Sequence, residues 1–481
     1  MVEDKITILG RQLDNKLSSF LEVEMQEVVV IGGGLAGCEA ALQLAKRGIK
    51  VKLYEMKPNN FSGAHSNPDL AEIVCSNSFK SNLLTNACGL LKEEMRLLKS
   101  NLILMADVVA VPSGQALAVD RELFSRKVTD LVENNPLIQV IRKEITEIDT
   151  SIPTIIATGP LTSDALSIKI KELIGKDSLY FFDAAAPIIE KDSIDFNIAF
   201  YGNRYEQERK KEQDINEWLE LIKTDEYKNN QDTSYINLPL NKEEYLTFVN
   251  ELVNAELAEL HDFDKKEIFE GCMPVEIMAK RGIDTLRFGP LKPVGFTDPR
   301  TGLRPYAVVQ LRQENKEATI YNMVGFQTNL KFGEQKRVFS LIPGMQNANF
   351  VKYGVMHRNT YVNSGDILSN TYSLKSNDNI YFAGQISGVE GYVESIASGM
   401  LAGINLANKI NGEKELILPN ITMLGALTDY ISTEHENFQP MNANFGIIAP
   451  LKEAIRDKKL KNQEFANRSL QYIKEIINEK A

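Results

Sequence analysis

The sequence lacks the features of a membrane-spanning or secreted protein. No apolar run in its 481 residues approaches the roughly 18 residues that cross a bilayer. Residues 1–24 mix both charge signs without a signal-peptide core, so we interpret them as an N-terminal extension. No C-x-x-C pair occurs among the four cysteines, which argues against a disulfide framework and a zinc site; these are Cys38, Cys75, Cys88 and Cys272. We therefore expect a cytoplasmic protein without a metal or a membrane partner.

Positive charge is in the minority over the whole chain but not along one segment. The 54 Lys and Arg residues and 65 Asp and Glu residues leave a net charge of −11, which is unlike a nucleic-acid-binding protein taken as a whole. Residues 270–360 instead contain 13 Lys and Arg against 7 Asp and Glu, a net charge of +6, so the remainder carries −17. A solvated surface of mixed charge would explain this segment, and so would a surface that receives an anionic substrate.

A dinucleotide-binding motif occupies the segment "EVVVIGGGLAGCEAALQLAKRGIKVKLYE". The apolar run Val28–Ile31 is typical of a buried parallel strand, and Gly32, Gly34 and Gly37 follow in G-x-G-x-x-G spacing. Such glycines let backbone N–H groups approach a pyrophosphate, and an acid that ends the second strand, here Glu55, can bind ribose hydroxyls. Because strand, glycines, helix, strand and acid occur in this order, the segment predicts a Rossmann-type cofactor domain.

Two later segments favour FAD over NAD as the bound cofactor. "IPTIIATG" is typical of a short buried strand, and "NDNIYFAGQISGVEGYVESIASGMLAGINLANKI" predicts a strand, a glycine turn and a long helix. In flavoproteins of the glutathione-reductase type, such a late strand returns to the same sheet. No second dinucleotide motif occurs, so a nicotinamide cofactor would bind only transiently. The predicted cofactor-binding residues are Gly32, Gly33, Gly34, Gly37, Glu55, Thr158, Gly159, Gly384, Gln385, Gly388 and Gly391.

This order of motifs predicts an α/β protein whose cofactor domain is discontinuous. Residues 25–190 and 370–450 would form a glutathione-reductase-like Rossmann FAD-binding domain. Residues 191–369 would form an α+β insertion domain that faces the substrate, and residues 451–481 a C-terminal helix.

A short helix is predicted directly after Cys272, in "GCMPVEIMAKRGI". Pro274 suits a first helical position, Glu276 adds negative charge to the first turn, Lys280 falls in the last turn, and Gly282 ends the helix. A cysteine just before a helix N-terminus is favoured as the thiolate. The alternative is that Cys272 is a small buried hydrophobic residue.

Longer motifs resemble those of one family of RNA-modifying enzymes. They include "VCSNSFKSNLLTNACGLL", "FEGCMPVEIMAKRGIDTLRFGPLKP", "FAGQISGVEGYVESIASGMLAGIN" and "NFQPMNANFG". From about residue 25 to residue 455, the chain resembles the folate- and FAD-dependent RNA uracil-5-methyltransferases. The resemblance implies methylation of uridine C5 in the T-loop of tRNA or, in one branch of the family, in 23S rRNA.

The resemblance assigns reactive roles to two cysteines. Cys272 of "GCMP" would add its thiolate to uracil C6, because C5 is a poor nucleophile until the ring is activated. The one-carbon unit would come from 5,10-methylenetetrahydrofolate, and Cys75 of "CSNS" would remove the C5 proton as the general base. Hydride transfer from FADH⁻ would complete the methyl group, with NADPH or NADH as the reductant. Taken by itself, Cys75 also fits a structural cysteine, which is the commoner role.

The basic segment supplies the predicted RNA contacts. A solvated charge is the alternative for each member of the set, which is Lys280, Arg281, Arg287, Lys292, Arg304, Lys336, Arg337 and Arg358. No protein partner is evident. One position departs from the family pattern, because Leu238 stands where an N-C-P sequence is customary.

Two other classes of function compete with RNA methylation. One is a flavin oxidoreductase of small molecules, in which the insertion would be a dimerisation cap. The other is an RNA- or flavin-binding protein that has lost activity.

Overall fold

The structure, a computed structural model of the chain, describes most of the sequence. It covers residues 27–175, 179–204, 235–258, 273–298, 300–436 and 438–480. For residues 179–183, 357–358 and 480 it describes the backbone alone. The predicted N-terminal extension and Cys272 lie outside the described residues.

The strands and helices follow one another in this order. The strands are β1 (Glu27–Ile31), β2 (Lys50–Glu55), β3 (Ser78–Ser81), β4 (Ala110–Val111), β5 (Ala116–Val119), β6 (Ile138–Arg142), β7 (Thr154–Ile156), β8 (Leu179–Ala184), β9 (Ile188–Glu190), β10 (Phe200–Tyr201), β11 (Tyr235–Leu240), β12 (Ala307–Gln313), β13 (Ile320–Met323), β14 (Phe350–Lys352), β15 (Met356–Tyr361), β16 (Ser373–Leu374) and β17 (Asn377–Phe382). The helices are α1 (Leu35–Ala45), α2 (Ala87–Leu97), α3 (Asn101–Val108), α4 (Arg121–Glu133), α5 (Asp164–Ile174), α6 (Lys242–Asn254), α7 (Val275–Lys280), α8 (Thr285–Phe288), α9 (Phe332–Phe339), α10 (Ser364–Ile367), α11 (Tyr392–Ile410), α12 (Met423–Ser432) and α13 (Lys458–Lys480).

The first sheet joins strands from both ends of the chain. Its order is β16-β17-β7-β1-β2-β6, and its pairs are parallel except for β16 with β17. The late strand β17 lies beside β7, as the late segment predicts. Small residues let α11 pack closely on α1, because a Cβ on Gly403 would lie 2.7 Å from the carbonyl oxygen of Ala40. The first sheet is therefore built from two separate stretches of sequence.

The second sheet is antiparallel and has a separate core. Its order is β10-β11-β12-β13-β9-β14, and α6 packs on it through residues such as Phe248 and Leu252. Strand β9 already belongs to this sheet, so the sheet begins at residue 188. The ribbon of β8 with β15 forms a separate two-stranded sheet. Leu238 is fully buried in this core, which explains why an apolar side chain fits where the family customarily has cysteine.

Two buried carboxylates hold helix N-termini in the first domain. Glu39 of α1 accepts hydrogen bonds from the backbone N–H groups that open α3, and Glu94 of α2 accepts them from Met423 and Leu424 at the start of α12. Glu94 also bonds Ser469 of the C-terminal helix. Burial raises the pKa of Glu39, and it raises that of Glu94 to about 7. These contacts fix the outer helices around the cofactor sheet.

None of the described helices combines the length and apolar character needed to cross a membrane.

Candidate active site

The glycine turn after β1 is shaped by close backbone approach. Gly32 has φ of +104°, and a Cβ there would lie 2.5 Å from the carbonyl oxygen of Ala157. A Cβ on Gly37 would overlap the carbonyl oxygen of Gly32. Gly34, the N-cap of α1, has open space on its Cβ side. The turn therefore leaves a gap over the helix N-terminus, where partial positive charge favours a phosphate.

Glu55 ends β2 and faces the same gap. One carboxylate oxygen accepts from the backbone N–H of Gly33 at 2.8 Å, and the other accepts from that of Lys57 at 2.9 Å. The side chain is buried, yet each oxygen keeps a second lone pair for a ligand. A ribose hydroxyl could donate to it, as the motif predicts.

These groups line one cleft. A glycine turn at a helix N-terminus and a buried carboxylate in the same cleft suit a dinucleotide. The predicted cofactor residues that line it are Gly32, Gly33, Gly34, Glu55, Thr158, Gly159, Gly384 and Gln385. The open side of Gly34 and the oriented carboxylate fit a bound FAD, with the glycine turn for its pyrophosphate and Glu55 for its ribose.

Three predicted cofactor glycines lie outside the cleft lining. Gly37 packs α1 against the glycine turn, and a Cβ on Gly388 would lie 2.5 Å from the ring of Phe438. Gly391 is the N-cap of α11 with φ of +116°. Each glycine allows close packing around the site, and none of the three touches the cleft.

Cys75 lies at the edge of this cleft, held by Tyr392 from the other end of the chain. Its Sγ is 2.8 Å from the Tyr392 hydroxyl oxygen, which also accepts from the N–H groups of Cys75 and Ser76 at 2.9 and 3.2 Å. Because those amides occupy the acceptor positions, the hydroxyl is left to donate to the sulfur. Burial raises the pKa of Tyr392 well above its usual range, so the hydroxyl keeps its proton. This contact favours the Cys75 thiolate.

Tyr392 is a site residue that the sequence analysis did not predict, as are Arg121 and Arg312, which also reach the Cys75 loop. Tyr392 lies in "GVEGYVES", directly after a predicted cofactor glycine, and its ring lines the cleft. The motif draws attention to that segment, but no local pattern pairs Tyr392 with a residue 317 positions away.

Two arginines fix the backbone on either side of Cys75. Arg121, the first residue of α4, donates to the carbonyl oxygen of Val74 at 2.9 Å. Arg312 of β12 donates to Ser76 Oγ at 2.6 Å and to Asn77 Oδ1 at 2.9 Å. One arginine comes from the cofactor domain and the other from the antiparallel sheet, so the Cys75 loop is held by both.

The same junction carries further links between the two sheets. Arg121 forms a buried ion pair with Glu314, and the Asp120 carboxylate accepts from the backbone N–H of Lys316 at 2.9 Å. Burial lowers the pKa of the Lys352 ammonium and the charge of Arg121 lowers it further, whereas Cys75 opposes that shift. Cys75 therefore lies at a junction of cations and carboxylates between the two sheets.

The other described cysteines are poorly suited to chemistry. Cys38 and Cys88 are buried, and burial raises the pKa of both thiols, that of Cys88 to about 11. Cys75 is the partly exposed member of the three.

The helix predicted after Cys272 is present as α7, although Pro274 is its N-cap and not its first residue as predicted. Its C-cap is Arg281, directly before the predicted end at Gly282. Glu276 is fully buried and accepts from Thr328 Oγ1 at 2.9 Å and from the N–H of Asn329 at 2.8 Å. Burial raises the pKa of this carboxyl group. The chain that follows Cys272 is thus tied to residues 327–329, where Val275 donates to the carbonyl oxygen of Gln327 at 2.7 Å.

The structure separates the predicted RNA contacts into two groups. Arg287 is paired with Asp284 and lies 3.6 Å from the ring centroid of Tyr306, and Arg337 is paired with Glu334 and Glu251. The remaining side chains that the structure describes are exposed or half-buried; these are Lys280, Arg281, Lys292, Arg304 and Lys336. Arg358 lies in β15, and the structure describes only its backbone.

Comparison with known proteins first gives the class of fold. A family model described as "Glucose inhibited division protein A" matches residues 27–220 and 212–414. Crystal form II of Aquifex aeolicus GidA superposes with a TM-score of 0.64 at 15% identity, over 94% of this chain and 74% of its own. Crystal form I superposes with a TM-score of 0.65 at 16% identity, over 93% of this chain and 75% of its own. The fold is thus that of the GidA flavoprotein family, and the predicted α/β fold class is confirmed.

Closer relatives identify the family within this class. The Acetivibrio thermocellus protein "Methylenetetrahydrofolate--tRNA-(uracil-5-)-methyltransferase TrmFO" is 58% identical over 450 residues, 93% of this chain and 98% of its own. The Brevibacillus brevis protein of the same name is 53% identical over 454 residues, 94% of this chain and 98% of its own. The chain belongs to the TrmFO family, which confirms the resemblance that the motifs indicate.

Proposed function

We propose that this protein methylates C5 of a uridine in tRNA, with 5,10-methylenetetrahydrofolate as the one-carbon donor and FAD as the bound cofactor. The observation that carries the proposal is the high identity to tRNA-(uracil-5-)-methyltransferases over nearly the whole chain. The names of these relatives favour tRNA over 23S rRNA. We place the reaction in the cytoplasm, where thiols stay reduced.

Residues 25–190 and 370–450 act as the FAD-binding domain in this proposal, and the insertion at 191–369 receives the RNA. The residues of the glycine turn hold the pyrophosphate and Glu55 holds a ribose. When bound, the folate supplies the carbon, the flavin supplies the electrons, and NADPH or NADH restores the reduced flavin.

Two thiols of the chain carry the proton and nucleophile steps. The Cys272 thiolate forms a bond to uracil C6, which makes C5 nucleophilic, and the same bond breaks when the product leaves. Cys75 takes the proton from C5, and the Tyr392 hydroxyl stabilises its thiolate before that transfer. Arg121 and Arg312 keep the Cys75 loop in place. The exposed cations of the insertion contact RNA phosphates.

Trapping with 5-fluorouridine tests the chemistry. Fluorine at C5 cannot leave as a proton, so tRNA that carries it should remain bonded to the wild-type protein in the presence of folate and reductant. Cys272→Ala should form no such adduct, whereas Cys75→Ala should form it and yet fail to methylate ordinary tRNA. An adduct with Cys272→Ala would refute the role of that thiol.

Product mapping tests the choice of RNA. 5-Methyluridine should disappear from the tRNA of a deletion strain, while 23S rRNA keeps the modifications it had. Loss from 23S rRNA alone would refute tRNA as the substrate.

A further inference from the structure

Five aromatic rings form a continuous chain from the core of the insertion to its surface. The centroids of Phe326 and Phe339 are 5.3 Å apart, and those of Phe339 and Phe350 are 6.4 Å apart, with the rings inclined by 81° and 34°. Tyr353 then stacks on Phe350 at 5.4 Å and 9°, and Phe332 stacks on Tyr353 at 5.1 Å and 16°. The outer three rings are thus nearly parallel, unlike the buried ones. We call Phe350, Tyr353 and Phe332 the ring stack.

The outermost ring is exposed although the inner end of the chain is fully buried. Phe332 is 55% exposed, whereas Phe326 and Phe339 are 0% exposed. The orientation of Phe332 is fixed through Gln335 of α9. The Gln335 side chain donates to the carbonyl oxygen of Gly354 and accepts from the N–H group of Gly354, both at 2.8 Å. Because α9 carries Phe332 and Gly354 follows Tyr353, these bonds keep the two rings in register.

The ring stack lies beside a cleft and an exposed cation. Polar and apolar groups line the cleft, among them Thr328, Asn329, Leu330 and Val355, and Phe332 forms part of its wall. Lys336 is exposed on the same helix. Lys352, which directly precedes Tyr353 in the chain, adds a further cation.

We propose that the ring stack binds a nucleobase of the RNA substrate on the exposed face of Phe332. This inference rests on the proposed function and deepens it by naming a surface for one base. Bases stack on aromatic side chains through their faces, and a rigid parallel stack presents such a face. The net charge of +6 over residues 270–360 complements RNA phosphates and disfavours an apolar lipid or a basic peptide.

The test is direct binding of an unmodified tRNA transcript to the full-length protein. Phe332→Ala should raise Kd about 5- to 150-fold, which corresponds to the loss of one base–aromatic stack. Phe332→Trp should bind within about twofold of wild type, since a larger ring keeps the face. The matched control is Phe288→Ala, because Phe288 belongs to the same insertion, is 79% exposed, and stacks on no ring of the described residues.

Salt dependence separates stacking from charge. Phe332→Ala should shift log Kd equally at all salt concentrations and leave its slope against log[salt] unchanged, because no phosphate contact is lost. Equal binding by wild type and Phe332→Ala would overturn the proposal, and so would full recovery by Phe332→Leu, which restores apolar contact without a ring. A changed oligomeric state with unchanged tRNA affinity would mean that a second copy covers this face, which also overturns it. Failure of the wild-type protein itself to bind tRNA would instead refute the proposed function.

Discussion

The cofactor domain and the insertion contribute different kinds of chemical group to their candidate sites. In the cofactor domain, the site is mostly backbone: glycines that permit close approach, a helix N-terminus, and one carboxylate held by two N–H groups. In the insertion, it is mostly side chains, such as Arg312 on strand β12 and the ring stack between helix α9 and strand β14. Backbone sites are written as short spacings in the sequence, whereas side-chain sites depend on which strands pair.

Cys75 lies where groups from both sheets meet. Its loop belongs to the cofactor domain, but Arg312 and Glu314 reach it and its neighbour Arg121 from the other sheet. The junction therefore ties the insertion, which is proposed to bind RNA, to the loop whose thiol is proposed to take the proton.

The largest expected effect comes from breaking the backbone site. Gly37→Ala would place a Cβ against the carbonyl oxygen of Gly32, so the turn must open and the protein should lose its flavin. Flavin absorbance after desalting measures this loss. Gly333→Ala is the matched control in the insertion, since its Cβ would meet open space. Full flavin retention by Gly37→Ala would show that the turn tolerates displacement.

Glu94 should make the stability of the cofactor domain depend on pH. Burial raises its pKa from 4.5 to about 7, so the folded state holds the proton more tightly than the unfolded state. The stability from this group is complete below about pH 4.5 and is lost as pH rises through 7, a change on the order of 3 kcal/mol. The Glu94→Gln variant has no carboxyl group that titrates at this position. The melting temperature of the variant relative to that of the wild type should therefore rise from pH 5 to pH 8.

The control for this prediction is Glu93→Gln, the adjacent and half-exposed residue in an ion pair with Arg96. Its difference from wild type should stay nearly constant over the same pH range. If the melting temperatures of Glu94→Gln and wild type differed by the same amount at pH 5 and pH 8, the raised pKa of Glu94 would be contradicted.

Arg312→Ala should disturb the junction and leave both sheets folded. It removes the donors to Ser76 Oγ and Asn77 Oδ1, and a buried acceptor left without a partner costs about 1–3 kcal/mol. We expect a methylation rate about 5- to 100-fold lower, with an altered pH profile for alkylation of Cys75, measured by peptide mapping. Arg312→Lys should recover part of the rate.

Arg300→Ala is the comparison for this variant, because Arg300 pairs with Asp298 in the same domain. It should leave the alkylation profile of Cys75 as in wild type. An unchanged profile in Arg312→Ala would mean that the arginine only supports the fold.

The smallest expected effect separates two neighbouring cations of α9. Lys336 makes no ion pair within the described part of the chain, whereas Arg337 is held by Glu334 and Glu251. Lys336→Ala should lower the slope of log Kd for tRNA against log[salt] by about 0.7–0.9, the value for one phosphate contact. Arg337→Ala should change the slope less, because its guanidinium is already engaged. Equal slopes for the two variants would contradict this division.

The sequence by itself determined the local features around the cofactor cleft. The spacing of Gly32, Gly34 and Gly37 and strand β2 ending at Glu55 follow from local patterns, whereas the return of β17 to the first sheet was expected by analogy with flavoproteins of the glutathione-reductase type. Helix α7 after Cys272 is also local, because Pro274 and the charges at its ends act within two turns. These features depend on residues close together in the chain, so their spacing is visible without a structure.

Only the tertiary structure decided what surrounds Cys75 and what the insertion presents to solvent. Tyr392 and Arg312 reach the Cys75 loop from 317 and 236 positions along the chain, and the ring stack joins α9 to β14 across a bulged edge strand. Lys336 and Arg337 are neighbouring exposed cations that look alike in sequence. They differ in whether carboxylates of the described residues lie close enough to pair with them. Antiparallel pairing brings together residues that are far apart in the chain. A local sequence pattern does not indicate which strands will pair.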